Sequence, residues 1–105
     1  NTLPIFKANK ASLEDYIDLV SRISLNQIYP NPAVESTKIS YFTESGHVKL
    51  SVFDATGQLV KILKDEWHGH GTYVVDMDVI GLRKGNYYVQ LSQGEKRITE
   101  VLLVQ

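Results

Sequence analysis

The 105-residue chain contains no cysteine, which removes disulfides, thiolate metal sites and cysteine nucleophiles together. That absence is compatible with any redox compartment and identifies none. Charge of one sign is also missing: 11 Lys and Arg against 12 Asp and Glu leave a net charge of -1. A nucleic-acid module would carry a clustered basic excess, and an anionic membrane surface would call for a polybasic segment. No apolar run approaches the ~18–20 residues needed to cross a bilayer, so no membrane span is expected. The first residues show no basic stretch followed by an apolar core and a small-residue cleavage site. No secretory signal peptide is therefore read here, and any such leader would lie elsewhere. What the chain does have, 43% hydrophobic and 22% charged residues, is the composition of one folded domain.

From residue 37 onward, short runs rich in Val, Ile, Leu and Tyr alternate with turn residues every ~10–13 positions, the spacing of an all-β sandwich or barrel. In residues 37–42, Ile39 and Tyr41 share one face and Lys38 and Ser40 the other. Val48, Leu50 and Val52 alternate with Lys49 and Ser51. Asp54-Ala55-Thr56-Gly57 follows, with Asp first and Gly fourth as a type I turn prefers, and predicts a hairpin into residues 59–64. The stretch His68-Gly69-His70-Gly71 reads as the next break. Tyr73, Val75, Met77 and Val79 then form one face, with Asp76 and Asp78 opposite. Arg83-Lys84-Gly85-Asn86 turns into residues 87–92, and Ser92-Gln93-Gly94-Glu95 into the last strand, 96–104. Six strands follow from this pattern, with a seventh around Gln27–Tyr29.

The N-terminal stretch differs. Ser12 precedes Leu13, Tyr16, Ile17, Val20 and Ile23 at helical spacing, with Asp15 completing a capping-box pattern, which predicts about three turns of helix over 12–23. The β-branched Ile17, Val20 and Ile23 suit an extended strand as well. Residues 1–26 read as a linker or the end of a preceding region, and 27–105 as the domain.

Candidate chemistry is sparse. His68 and His70 lie two apart, with Asp65 or Glu66 as conceivable further ligands, but zinc needs three or four in tetrahedral array. The flanking glycines favour an exposed polar loop instead, and His47 stands alone. Asp76 and Asp78 alternate with apolar residues inside a strand, unlike a calcium loop with several acids and a sharp glycine turn. They read as that strand's wet face. No nucleophile elbow, glycine-rich phosphate loop or zinc-protease helix occurs, and a small regular β domain has little room for a deep pocket. Neither catalytic activity nor a cofactor is expected. Tyr41, Tyr73 and Tyr87 fall on core positions of the alternation. Trp67 and Tyr88 are left as candidate exposed aromatics, which on a sandwich can stack on sugars. A carbohydrate-binding or adhesive module of a surface protein is therefore the rival reading.

Pro30 and Pro32 remove two backbone donors and force an extended course, marking where the domain begins. The segment Ile28-Tyr29-Pro30-Asn31-Pro32-Ala33 also resembles the opening motif of the type A C-terminal sorting domain of the type IX secretion system of Bacteroidetes. Ile39-Ser40-Tyr41 is similar to the family's second strand. Residues 48–60 resemble its most recognisable stretch, with hydrophobic alternation, Asp54 and the turn Gly57. Leu82, Gly85, Tyr87 and Val89 match its Leu…Gly…Tyr…Val pattern, and Gly94 and Lys96 stand where a turn glycine and a basic residue are usual. The resemblance covers about residues 27–105. The last strand, Glu100-Val101-Leu102-Leu103-Val104-Gln105, departs from it in lacking the terminal basic residues of many relatives, Lys96 and Arg97 being the nearest equivalents.

The resemblance implies an immunoglobulin-like antiparallel sandwich that addresses an N-terminal cargo to the outer-membrane type IX translocon. It also implies later removal by a surface sortase, with the cargo released or attached to the cell surface. The recognition candidates are Pro30, Asn31, Pro32, Asp54, Gly57, Gly85, Lys96 and Arg97. A terminal strand at a sheet edge would offer unpaired N–H and C=O groups to a partner strand. Cleavage is expected in exposed chain before Ile28, with residues 7–12 and 24–27 as candidates.

Overall fold

The computed structural model describes residues 23–105. They form seven strands and no helix: β1 (Ser24–Tyr29), β2 (Ser36–Thr43), β3 (Gly46–Phe53), β4 (Leu59–His68), β5 (Gly71–Asp78), β6 (Gly85–Gln93) and β7 (Lys96–Val104). The 12–23 segment lies outside the described residues apart from Ile23, which is buried just ahead of β1. All pairings are antiparallel, in a three-stranded sheet β1-β2-β5 and a four-stranded sheet β4-β3-β6-β7.

Alternation decides which residues meet between the sheets. Ile39 and Tyr41 from β2, Val48, Leu50 and Val52 from β3, Val89 and Leu91 from β6 and Leu102 from β7 are all fully buried. Each such aliphatic side chain contributes about 1.5–3 kcal/mol relative to leaving it in water. The order β3-β6-β7 facing β1-β2-β5, with β4 added beside β3, is that of an immunoglobulin-like sandwich. Tyr87 adds a local hallmark of that fold. At the start of β6 its ring is buried and its hydroxyl donates to the Arg83 carbonyl 2.7 Å away, four residues upstream.

Two strands extend beyond their sequence-predicted limits. β1 begins at Ser24, because a bulge at Asn26 breaks the period-2 pattern and lets Leu25 and Ile28 both face inward. Ser24, Leu25 and Gln27 are therefore paired with β2, so 24–27 is not the unpaired chain expected of a cleavage candidate. β4 continues to His68 with two register shifts, so the inward residues Val60 and Leu63 stand three apart. His68 is not in an exposed loop: it is 4% exposed, shares a 2.8 Å hydrogen bond with the Tyr41 hydroxyl and stacks 4.1 Å from the Tyr73 ring. Burial, with Glu66 nearby as a second cause, pushes the Tyr41 phenol up to about 12.

The strand directions give the sandwich two ends. One carries residues 30–35, the 54–58 turn, the 79–84 connection and the end of β7, and is called the proline end. The other carries the start of β1, the turns at 44–45, 69–70 and 94–95, and the start of β7, and is called the histidine end.

Candidate recognition site

At the proline end the chain leaves β1 through Tyr29–Pro30 and Asn31–Pro32 peptide bonds that are both cis. Between two residues without N–H groups, Asn31 turns its side chain onto the outer edge of β7. Its Nδ2 donates to the Val101 carbonyl and its Oδ1 accepts from the Leu103 N–H, both at 2.9 Å. One side-chain amide thus makes the pair of bonds that a neighbouring strand's peptide group would make. Ala33, fully buried, continues the addition: its N–H donates to the Leu103 carbonyl at 2.8 Å and its carbonyl accepts from the Gln105 N–H at 2.9 Å. The result is a short parallel bridge from Ala33 to Val104. Thr37, buried in β2, donates its hydroxyl to the Pro30 carbonyl at 2.7 Å and fixes the other side of the segment.

This clasp alters the expected open edge. β7 is an edge strand, but from Val101 to Gln105 its outer backbone groups are occupied. By the same alternation Arg97 and Thr99 direct their N–H and C=O groups to that edge, and among the described residues nothing pairs with them. Beside this stretch a shallow cleft of about 230 Å³ separates β7 from β1, lined by Leu25, Gln27, Ile28, Asn31, Glu100 and Val101. Glu100 sits at an inward register position opposite core residue Val89, yet is exposed at the cleft. An inward-pointing charge of this kind discourages indiscriminate strand pairing.

The 54–57 turn is built by one carboxylate. Asp54 Oδ1 accepts from the Thr56 hydroxyl at 2.6 Å, the Thr56 N–H at 2.9 Å and the Gln58 N–H at 3.0 Å. These bonds, the Thr56 hydroxyl foremost, hold the carboxyl below the usual carboxylate range. Gly57 closes the turn by donating to the Asp54 carbonyl at a φ of +90°, and Gly85 opens β6 at +144°. An added Cβ would meet nothing within 4 Å at either place. What a side chain would face there is backbone strain, not a clash.

The structure brings Pro30, Asn31, Pro32, Asp54, Gly57 and Gly85 to the proline end. Lys96 and Arg97, at the start of β7, lie at the histidine end. Trp67 and Tyr88 do not form a pair. Both project from the outer face of the four-stranded sheet, but Trp67 registers with His47 and Tyr88 with Phe53. Six residues along β3 separate them by about 20 Å. Trp67 is 67% exposed and Tyr88 is partly covered. The three histidines face three different carboxylates, His47 Asp65, His68 Glu66 and His70 Glu44. Among the described residues no three metal-ligating side chains gather in one place, and no helix is long and apolar enough to cross a membrane.

The partners of Asn31, far away in the chain at Val101 and Leu103, were not visible in the sequence. The signal for them was the Pro-Asn-Pro run itself, two residues without donors around one with a bidentate amide. Comparison with known proteins bears on the same residues. Among curated proteins none matches the chain. Residues 27–105, three quarters of the chain, match the model of a family described as the secretion system C-terminal sorting domain. This is a family of type IX sorting signals and not of enzymes, which implies a cargo N-terminal to it, the type IX machinery as partner, and export to the cell surface or beyond. With the clasp, the turns and the seven-stranded sandwich inside the matched span, the chain belongs to the secretion system C-terminal sorting domain family.

Proposed function

We propose that the folded sandwich, and not a linear peptide within it, is the form that the outer-membrane type IX translocon recognises. The observation that carries this reading is the Asn31 clasp. It joins the opening motif to the last strand through two hydrogen bonds across separations of 70 and 72 residues, so neither segment keeps its conformation without the rest of the fold. The turns at 54–57 and 83–86 present backbone geometry that also depends on folding. Lys96 and Arg97, at the opposite end, contribute to orientation and association rate more than to affinity.

Cleavage by a surface sortase falls ahead of Ile23 in this reading, with residues 7–12 as the remaining candidate. A protease needs several residues of extended, unpaired backbone, and β1 is paired from Ser24 onward. The cargo then leaves with a new C-terminus within residues 1–22, either released or attached at the surface.

The test is to place the full 105-residue chain behind a periplasm-targeted fluorescent protein in a Bacteroidetes host, with and without a working type IX translocon. Fluorescence on the surface or in the medium, lost in the translocon-deficient host, supports the reading. Retention of a folded fusion in both hosts overturns it. The rival then becomes a sugar-binding module using exposed Trp67, tested by glycan affinity that Trp67→Ala abolishes.

A further inference from the structure

The outer face of the four-stranded sheet is divided in a way the sequence alternation does not announce. Leu59 pairs with Phe53, Phe53 with Tyr88, and Tyr88 with Val101. One row of four apolar side chains therefore crosses every strand of the sheet, about 14 Å at the usual strand spacing. Ile62, opposite Ser51, and Leu103, opposite Asn86, flank it. None of the six apolar residues packs against the core cluster, and Leu59, Ile62 and Val101 are 52%, 44% and 46% exposed. No charged residue stands in these rows. The half of the same face toward the histidine end carries His47, Lys49, Asp65 and Arg97 instead.

We propose that this apolar row is a docking surface for an uncharged apolar patch on the type IX machinery, engaged transiently during export. The proposal rests on the sorting-signal reading above and assigns it a contact surface. Three observations select this occupant. The patch offers roughly 300–400 Å², so two copies packed face to face would bury about 600–800 Å², short of the ~1,200 Å² of a stable complex. A contact of that size is of the transient kind, which suits a signal that must let go. The upstream chain enters at Ser24, at the other end and in the other sheet, so the cargo is attached away from the row. Finally, the uncharged rows call for a partner without charge, since a charge buried against them would be left unpaired.

The experiment uses the fluorescent-protein fusion to the full chain and a double variant, Leu59→Lys/Val101→Lys, which charges both ends of the row. Its control, Trp67→Lys/Val74→Lys, makes the same charge change at two exposed apolar residues off the row. Thermal melts and circular dichroism verify that each variant is folded. If the lysine pair unfolds the domain, Leu59→Thr/Val101→Thr replaces it. The expected result is export reduced about ten-fold or more by the row variant and unchanged by the control. Wild-type export by the folded row variant, or equal losses in both variants, overturns the proposal. A wild-type dimer at about 100 μM that dissolves in the row variant overturns the choice of occupant in favour of a second copy. If the wild-type fusion itself stays in the periplasm, the sorting reading fails first and the proposal falls with it.

Discussion

At the proline end of the sandwich the chain is held by hydrogen bonds, those of Asn31 and Asp54 at the surface and those of Ala33 and Tyr87 beneath them. At the histidine end it is held by rings in the interior, where His68 of β4 lies against Tyr41 of β2 and Tyr73 of β5 and links the two sheets. Both devices fix the fold, but only the first leaves its geometry accessible to another protein. A change within this buried ring cluster should reach function only through stability. At the proline end a change can alter what is recognised while the core stays intact.

The largest effects are expected from the backbone of the two turn glycines. Gly57→Val and Gly85→Val should each destabilise by about 2–3 kcal/mol through strain at positive φ. Urea melts would measure the loss, and export at a temperature where the variants are still folded should fall as well. Unchanged export by folded variants would show that turn geometry is not read.

Alkali tests the histidine end. The Tyr41 phenol is raised to about 12 when folded, so between pH 10 and 12 the unfolded chain has lost a proton that the folded one keeps. Stability must therefore fall as pH rises above 10, by about 2 kcal/mol at pH 12. A chemical-denaturation series from pH 8 to 12 would show this. In Tyr41→Phe the alkaline slope should flatten, and export near neutrality should be kept wherever the variant folds. The carboxyl of Asp54 acts with opposite sign. Its folded value is depressed, so its contribution is present at neutral pH and is lost as pH falls through that value.

A smaller effect is expected at the clasp. Asn31→Ala removes two hydrogen bonds and should cost about 1.5 kcal/mol, with faster hydrogen exchange confined to the amide of Leu103 and its neighbours in β7. Equal protection in wild type and variant would mean that Ala33 alone holds the strand. Smallest of all is Arg97→Ala at the exposed start of β7, within about 0.5 kcal/mol in stability. Its effect on translocon association should appear in the rate and shrink with added salt.

Much of this fold was legible in the chain. Alternation placed Ile39, Tyr41, Val48, Leu50, Val52 and Tyr87 in the interior, and the structure buries all of them. Asp54 and Gly57 announced their turn because a carboxylate and a positive φ are local requirements. What escaped was non-local or aperiodic. The bulge at Asn26 hid half of β1, and the two register shifts in β4 hid its last turn of pairing and the burial of His68. Pro30, Asn31 and Pro32 could be marked as the start of the domain, but nothing near them points to Val101 and Leu103.

The sequence by itself determined the class of fold, the core and the turns, since strand period and turn chemistry act over a few residues. The tertiary structure alone decided the register between strands. Register sets Leu59, Phe53, Tyr88 and Val101 side by side, closes half the edge of β7 beneath Asn31, and separates Trp67 from Tyr88 on one face. These neighbours are far apart along the chain, and only the packing of two complete sheets around one interior brings them to a common surface.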